Sequence, residues 1–371
     1  MKTPRDWVTR PLSQFVSLQR GFDLPTHARV PGSVPVLSSG GVNGSHNEAK
    51  VDGDNFVIGR VTNIGRPTWS SVPFWPLNTT LFVKDFLGNF PKFCFYWFLA
   101  TDLSGFDSGS VQPVLNRNYI ANIPVAIPSF VEQRRIAGVL GALDDKIESN
   151  QNLAEVIPSL IDAKIHHALS DGSGDSIPVS KLAKFVNGGA YTKEASGTGR
   201  MVIRIADLNT GPGASTIYND IDVPGDRLAH FGDLLMSWSG SLGVYVWVRE
   251  EAIVNQHIFK VILTDFPTWL VHNRLNVALH GFRAIAAEKA TTMGHIQRKH
   301  LDETFVEVPI AKLEQLNHLC VPLWNRFISA QLESMRLAEL RDALLPELMS
   351  GRMRVDEAGR LVSKALDEEV R

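Results

Sequence analysis

The sequence predicts an α/β (α+β) protein with a duplicated plan, in which a globular block and a long helix occur twice. Three observations point to this fold class. Two long stretches carry apolar residues at helical spacing, the same order of strand and turn signals occurs twice, and a Gly/Ser/Asp-rich run follows the first long stretch. The expected segments are blocks 1–130 and 171–308, helices 131–170 and 309–352, and a charged C-terminal tail, 353–371.

The first long helix has an apolar stripe that advances by three and four residues. Its predicted seam residues are Ile136, Leu140, Leu143, Ile147, Asn150 and Ile157. This spacing leaves one side of the helix ready to pack against a partner. Pro158 lacks a backbone N–H, so we expect a kink there. A rod of this kind is typical of a spacer or an assembly surface.

The second long helix repeats the signals of the first. Its predicted seam residues are Leu323, Phe327, Leu337 and Leu344. We expect Pro322 to interrupt the early part of this stripe. Two similar helices in one chain can pack against each other along their apolar sides. The alternative is that they are two ordinary core helices of separate domains.

The blocks before the two helices begin in the same way. Residues 12–21 and 179–188 both have apolar residues at every third position and end in glycine. Each predicts a short amphipathic helix with a glycine C-cap. The sequence predicts strands next, around Val34–Leu37 and Met201–Ile205.

The parallel between the blocks continues to their ends. A Gly-Asp turn precedes an apolar strand at residues 53–58 and again at 232–237. Residues 78–83 line up with residues 255–260. The offset between the halves drifts from 167 to 182 residues along the chain. A duplicated domain whose loops changed independently would show this drift, so the sequence predicts an internal repeat.

Composition excludes several classes of protein. Of 371 residues, 44% are hydrophobic, yet no apolar run is long enough to cross a membrane. The N-terminus lacks the apolar core of a signal peptide, and Cys94 and Cys320 are too few for a disulfide framework or a zinc site. We therefore expect a cytoplasmic protein without metal. The net charge of −2 argues against holding nucleic acid by bulk charge, although residues 1–130 carry +3.

Motifs for catalysis are absent from the sequence. It contains no H-E-x-x-H, no G-x-x-x-x-G-K-[ST], no G-x-S-x-G and no Asn/Asp-Pro-Pro-Tyr. The sequence therefore offers no candidate catalytic residue.

Polar and aromatic residues in the predicted loops are suited to reading DNA. In the first block they are Arg60, Asn63, Arg66, Trp69, Asn78, Thr79, Arg117 and Asn118. In the second block they are Arg204, Trp238, Ser239, Ser241, Asn255, Gln256, His257, Arg298 and Lys299. Arg pairs well with guanine and Asn or Gln with adenine, while Ser, Thr and Lys often hold phosphates. The alternative for each is ordinary turn chemistry or a solvated charge.

Three motifs carry a resemblance to a known family. They are Pro128-Ser129-Phe130-Val131-Glu132-Gln133, the matching run from Pro309 to Gln315, and the ending from Leu340 to Arg352. With two divergent blocks, this arrangement resembles the specificity (S) subunit of type I restriction-modification systems. The resemblance implies that each block is a target recognition domain reading half of a bipartite, asymmetric DNA target. It also implies that the helices pack as an antiparallel coiled coil of fixed length.

The resemblance further implies the partners. These are double-stranded DNA, two methyltransferase (modification) subunits that bind S-adenosylmethionine, and two restriction subunits that use ATP and Mg. No cofactor and no membrane would be bound by this chain. The residues implied at the subunit interface are Glu132, Gln133, Arg134, Glu314, Gln315 and Arg341.

Two other functions compete with this interpretation. A fused restriction-methylation enzyme would need catalytic motifs that the sequence lacks. A coiled-coil scaffold with two binding modules for protein or glycan is the remaining alternative.

Overall fold

The computed structural model describes residues 6–106, 114–288 and 294–368. Its internal contacts divide the chain into two units. Unit 1 consists of Met1–Ile147 and Arg336–Arg371, and unit 2 of Glu148–Met335. Because the divisions fall inside the two long helices, each unit contains a part of both.

Unit 1 begins with a mixed α/β block. Its elements are β1 (Val8–Pro11), β2 (Ser17–Arg20), β3 (Val34–Ser38), β4 (Gly41–His46), β5 (Asn55–Gly59), β6 (Pro67–Ser70), β7 (Trp75–Pro76), β8 (Thr80–Asp85), α1 (Pro91–Ala100), α2 (Arg117–Ile120) and β9 (Pro124–Ile127). The long helix α3 (Phe130–Leu169) follows the block.

Unit 2 contains a second block of the same kind. Its elements are β10 (Asp175–Pro178), β11 (Ala183–Asn187), β12 (Arg200–Ile203), α4 (Ile205–Thr210), β13 (Ile217–Asn219), β14 (Leu228–Ala229), β15 (Leu234–Ser237), β16 (Gly243–Val246), β17 (Ala252–Val254), β18 (Ile258–Leu263), α5 (Thr268–Glu288), α6 (Arg298–Glu303) and β19 (Phe305–Val308). The chain then forms the long helix α7 (Leu313–Met349) and a last helix α8 (Val355–Glu368).

The strand order confirms the predicted duplication. The main sheet is β2-β8-β5-β6 in unit 1 and β11-β18-β15-β16 in unit 2, antiparallel throughout. A second sheet is β4-β3-β7 in unit 1 and β13-β12-β17-β14 in unit 2. In both second sheets a parallel pair, β3–β7 or β12–β17, lies beside an antiparallel one. A two-stranded pair, β1–β9 or β10–β19, completes each set.

Backbone hydrogen bonds show which residues of the two units are equivalent, and they shift one of the predicted matches by one residue. Gly21 N–H donates to Thr80 O at 3.0 Å, and Gly188 N–H donates to Ile258 O at 3.0 Å. Thr80 therefore corresponds to Ile258, so the expected match of residue 78 with residue 255 is wrong by one position. The correction makes Arg60 and Trp238 equivalent.

The short amphipathic helices expected at residues 12–21 and 179–188 are not formed. Each segment is one 3₁₀ turn, Leu12–Gln14 or Val179–Lys181, followed by an edge strand of the main sheet. The two glycines are not helix caps. A Cβ on Gly21 would lie 2.2 Å from Leu77 O, and a Cβ on Gly188 would lie 2.2 Å from Asn255 O. Both positions need glycine because another backbone passes directly beside them.

The predicted apolar seams of α3 and α7 are buried, and the two helices pack together. In unit 1 the early part of α3, through Ile136 and Leu143, shares a core with Leu337 and Leu344 from the late part of α7. In unit 2 the late part of α3 shares a core with the early part of α7. The helices are therefore antiparallel. Their order along the chain and their matched apolar stripes together produce this pairing.

Two details of the second helix differ from expectation. Leu323 is only partly buried, while its neighbour Trp324 is buried against the same core. Pro322 does not interrupt α7, and α3 likewise continues through Pro158. A proline inside a helix removes a single N–H···O bond, and side-chain packing on both sides of it holds the helix together.

The C-terminal tail is a helix rather than a charged extension. Val355, Ala358 and Val362 recur every three to four residues, and α8 buries them in the core of unit 1. Its first turn is tied to α3 by an ion pair between Asp356 and Arg135.

The need for glycine at the close backbone approach can be tested at Gly188 in unit 2. We expect Gly188→Ala to lower the free energy of unfolding by about 2 kcal/mol or more, because two backbone segments must separate to admit the methyl group. Gly138→Ala is the matched control, since its Cβ would enter open space on α3 and should stabilise by about 0.5–1 kcal/mol. Thermal unfolding measures both. Equal effects of the two variants would contradict the close approach.

Candidate nucleic-acid interface

One end of the main sheet in unit 1 gathers several of the predicted DNA-reading residues around Ser39. The Arg60 N–H donates to Ser39 Oγ at 3.2 Å, and Asn63 Nδ2 donates to Ser39 O at 3.1 Å. The Ser39 hydroxyl donates to the carbonyl of Thr79. Sequence reasoning missed Ser39, although its Ser-Ser-Gly-Gly turn directly after β3 was a usable signal.

Arg60 holds this end of the sheet together. Its Nη1 donates to Asn78 O at 3.0 Å and its Nε to Leu115 O at 3.3 Å. Burial, and then the nearby charge of Arg20, lowers the pKa of Arg60. A guanidinium engaged in this way cannot present its full fork to a guanine edge. We therefore assign Arg60 to loop positioning.

The other predicted residues of unit 1 divide into exposed and packed groups. Asn63 and Arg66 are exposed in the loop after β5, and Asn63 has a φ of 48°. Trp69 instead packs into the core, stacked on Phe56 and covered by the ammonium group of Lys92, which lies 4.3 Å from the ring. The DNA-reading role expected of Trp69 does not fit this packing.

Two predicted residues of unit 1 lie in the helix α2. Arg117 Nη1 donates to Leu18 O at 3.0 Å, so it ties α2 to the first strand of the main sheet. Asn118 is exposed, and its N–H is capped by the side chain of Asn116 at 3.0 Å.

Unit 2 places different chemistry at the equivalent end of its main sheet. Ser239 Oγ lies 3.1 Å from His257 Nδ1, and Gln256 Nε2 lies 3.2 Å from His257 Nε2. The ring of Trp238 lies 5.4 Å from the ring of His257. Four predicted residues therefore form one cluster, built on an aromatic side chain where unit 1 has an arginine.

A cleft of about 870 Å³ opens beside this cluster. Trp238, Phe185 and Phe259 supply apolar walls, while Arg298 and Lys184 add positive charge. Arg298 also donates to the carbonyl of Phe185, as Arg117 does to the equivalent Leu18 in unit 1.

The remaining predicted residues of unit 2 have separate positions. Arg204 caps α4 through an ion pair with Asp207, Nε to Oδ2 at 3.0 Å. Burial opposes the charged form of Asp207, but hydrogen bonds from Arg204 and Thr216 outweigh it and lower the pKa of the carboxyl. Asn255 is buried, and its side chain accepts a bond from its neighbour's N–H. Ser241 and Lys299 are exposed.

Two of the residues implied at the subunit interface have roles inside unit 1. Gln133 is only 2% exposed; its Oε1 accepts from Phe90 N–H at 2.8 Å, and its Nε2 donates to Asn89 Oδ1 at 2.9 Å. Docking therefore does not fit Gln133, which fixes the start of α3. In unit 2 Asn317 makes a similar bond, accepting from Trp269 Nε1 at 2.8 Å.

Arg341 connects the two long helices within unit 1. Its Nη1 donates to Asp144 Oδ1 at 3.0 Å, while Tyr96 donates to Asp144 Oδ2 at 2.5 Å. Burial opposes the charge of Arg341, but bonds to Asp342 and Asp144 raise its pKa. Burial, followed by the charge of Asp144, raises the pKa of Tyr96.

The other four implied interface residues lie nearer the surface. Glu132 is half-buried, and its N–H donates to Ser129 Oγ at 3.3 Å. Arg134, Glu314 and Gln315 are exposed.

The described residues contain neither a metal cluster nor a membrane-spanning helix. Over residues 6–106, 114–288 and 294–368, no group of three or more His, Cys, Asp or Glu residues could hold a metal ion. In that same part of the chain, no helix has the length and apolar character needed to span a bilayer.

Comparison with known proteins agrees with this architecture. Residues 4–159 match the family described as type I restriction modification DNA specificity domain. The type I restriction enzyme MjaIX specificity subunit of Methanocaldococcus jannaschii is 22% identical over 326 residues, covering 76% of this chain and 74% of that protein. The crystal structure of the type I restriction-modification S subunit from M. genitalium has a TM-score of 0.61 at 14% identity, covering 94% of this chain and 98% of that one.

The fold defines a class of protein in which two α/β blocks are each completed by parts of the same pair of long helices. Within that class, the chain is similar to type I restriction-modification specificity subunits, in sequence over residues 4–159 and in fold over 94% of its length.

Substitutions of Arg60 and Arg66 can distinguish a residue that positions the loops of unit 1 from one that contacts DNA. We expect Arg60→Gln to destabilise the protein by about 1–2 kcal/mol, because the carbonyls of Asn78 and Leu115 lose a charged donor. Arg66→Gln, an exposed position in the same loop, should change stability by less than about 0.5 kcal/mol. It should instead lower the salt dependence of DNA binding by about one unit of slope.

Thermal unfolding, and DNA-binding titrations at several salt concentrations, measure the two effects. The same loss of stability in both variants would argue against the positioning role of Arg60.

Proposed function

We propose that this chain reads a bipartite, asymmetric DNA target, one half with each unit, and sets the gap between the halves with α3 and α7. The observation that carries the proposal is the duplicated sheet, whose equivalent loop ends bear different side chains. Arg60, Asn78 and Thr79 in unit 1 correspond to Trp238, Gln256 and His257 in unit 2. Two copies of one frame with different recognition chemistry would read two different half-sites.

The charge of the chain suggests that its partner subunits contribute to DNA binding. Its net charge is −2, so it has little general attraction for phosphates. Positive side chains occur near the candidate interface of each unit. They include Arg66 and Arg117 in unit 1 and Lys184 and Arg298 in unit 2. The partner subunits would therefore supply much of the phosphate contact.

We further propose that two methyltransferase subunits dock on this chain, one for each unit. They would bind S-adenosylmethionine and extrude the adenine that becomes methylated. Two restriction subunits, which use ATP and Mg, would join for cleavage. Arg134, Glu314 and Gln315 are the exposed docking candidates near the starts of the long helices. The chain itself would supply recognition and no reacting group.

Exchange of one block tests this function. In cells that produce the complete system, we expect genome-wide mapping of methylated adenine to give one bipartite motif with unequal halves. Replacing residues 1–130 by the corresponding block of a related subunit should change one half of that motif and leave the other half and the gap unchanged. A motif that changes in both halves, or no adenine methylation at all, would contradict the proposal.

The middle of the helix pair has a polar layer that would fix the register of the two helices. Asn150 is fully buried, and its Oδ1 lies 3.5 Å from Arg326 Nη2. Arg326 Nη1 lies 3.8 Å from Glu333 Oε2, and Glu333 is itself 6% exposed. Asn150 Nδ2 has no hydrogen-bond partner among the described residues. A buried polar group in an apolar seam favours one alignment at a cost in stability.

We expect Asn150→Leu to stabilise the helix pair by about 1 kcal/mol and to loosen its register, because the buried amide is removed. Thermal unfolding measures the stability of this variant, and the gap length in the methylated motif reports the helix register. Asn152→Leu, at an exposed position two residues further on, is the control and should leave the gap unchanged. Unchanged gap length and subunit stoichiometry in Asn150→Leu would count against the register role.

A further inference from the structure

The β3–β4 hairpin of unit 1 turns inside the loop cluster described above. Its turn is Ser39–Gly40, and Ser39 is the residue to which Arg60, Asn63 and Thr79 are bonded. Strand β4 therefore starts at the candidate DNA interface. It pairs only with β3 and is the edge strand of its sheet.

The side chains that follow the turn are exposed. Val42 is 71% exposed, and Asn43 and Ser45 are exposed as well. A single exposed valine is common on protein surfaces. Here, however, Val42 lies on an edge strand that has no charged side chain from Gly41 to Ser45, whereas exposed edges usually carry charges. These residues offer methyl groups, an amide and a hydroxyl, which are the groups that contact base edges.

This edge is held in a fixed shape although it is exposed. Arg29 Nη2 donates to Asn43 Oδ1 at 3.0 Å, and Arg29 Nη1 donates to the Asn43 carbonyl. The amide oxygen of Asn43 accepts from Arg29, and the exposed Asn43 side chain can still offer its NH₂ group to a ligand as a donor. Gly44 has a φ of 84°, and a Cβ there would lie 2.9 Å from Arg29 Nη1. The left-handed backbone at position 44 therefore favours glycine, and a side chain there would displace the Arg29 guanidinium.

The far end of the hairpin is anchored in the core. His46 is buried; its Nδ1 accepts from the Val30 N–H at 3.0 Å, and its ring meets the edge of Trp75 at 5.2 Å. An exposed ribbon fixed at both ends loses little conformational entropy when it binds, and this favours recognition over mere solvent exposure.

In unit 2 the strand equivalent to β4 is β13, and among the described residues no tight hairpin joins it to β12. There the connection between β12 and β13 contains α4, capped by the Arg204–Asp207 pair. Any function of the ribbon therefore belongs to one half-site.

We propose that β4 is a base-reading ribbon for the half-site bound by unit 1, with Val42 and Asn43 as specificity-determining residues and Arg29 as the residue that positions Asn43. A two-stranded ribbon fits the major groove of DNA, where valine methyls contact a thymine methyl and an amide NH₂ donates to a purine or thymine acceptor. This inference rests on the proposed function, because it names the contacts through which unit 1 reads its half-site.

The test uses the complete complex with its methyltransferase subunits and the variants Val42→Ala and Asn43→Ala. Adenine-methylation mapping, with competition binding on duplexes changed at single base pairs, measures discrimination. Each variant should reduce discrimination about tenfold at one or two base pairs of the unit 1 half-site and leave the other half-site unchanged. Arg29→Lys, which loses the two-pronged clamp, should weaken discrimination at the base pair affected by Asn43→Ala.

Two matched controls remove side chains of the same types at the opposite end of the strands. Val72→Ala lies at an exposed turn beyond β6, and Asn47→Ala lies just after β4. Neither should change the motif. All of these positions are at least partly exposed, and melting temperatures near that of the unchanged complex would show that the fold is retained.

The outcomes separate the two proposals. If the unchanged complex selects a bipartite motif and Val42→Ala and Asn43→Ala leave its unit 1 half intact, the ribbon inference is overturned and the proposed function stands. If the unchanged complex shows no sequence selectivity, both fall.

Discussion

The apolar seam between α3 and α7 is the interaction on which the rest of the structure depends. Each unit completes its core with a part of both helices, so neither block is closed without them. In unit 1 the late part of α7 also brings Arg341 to Asp144 and Tyr96, and α8 covers the same core. Burial of side chains such as Leu140, Leu143 and Leu344 stabilises each block and the helix pair together.

With that frame in place, the two blocks can differ freely at their loop ends. Carbonyl–guanidinium bonds made by Arg60 fix the loops of unit 1, whereas in unit 2 the ring of Trp238 lies tilted against that of His257, whose Nδ1 lies 3.1 Å from Ser239 Oγ. The same backbone positions thus carry groups with different hydrogen-bonding chemistry. The loop end of one block can therefore change without disturbing the other block, because the loops contribute little to the helical seam.

Periodic and repeated signals in the sequence predicted structure correctly, whereas features that depend on partners distant in sequence were not predictable. The stripe from Ile136 to Ile157 gave the seam because helical periodicity is a local property. The 3₁₀ turn at Leu12 and the strand after it were mistaken for a helix, since both patterns place apolar residues three apart. Trp69, Gln133 and Arg60 were assigned to binding surfaces because polar and aromatic side chains look alike in sequence whether they face solvent or a neighbour.

By itself the sequence determined the fold class, the internal repeat, the two helices and the resemblance to a family, because these follow from order, spacing and motifs along the chain. Only the tertiary structure decided which loop residues remain exposed and which are hydrogen-bonded to or packed against their neighbours. It also placed Ser39 among Arg60, Asn63 and Thr79, and showed β4 as a clamped edge. The physical reason is that the availability of a side chain depends on hydrogen-bond partners contributed by other strands, and sequence spacing does not specify those partners.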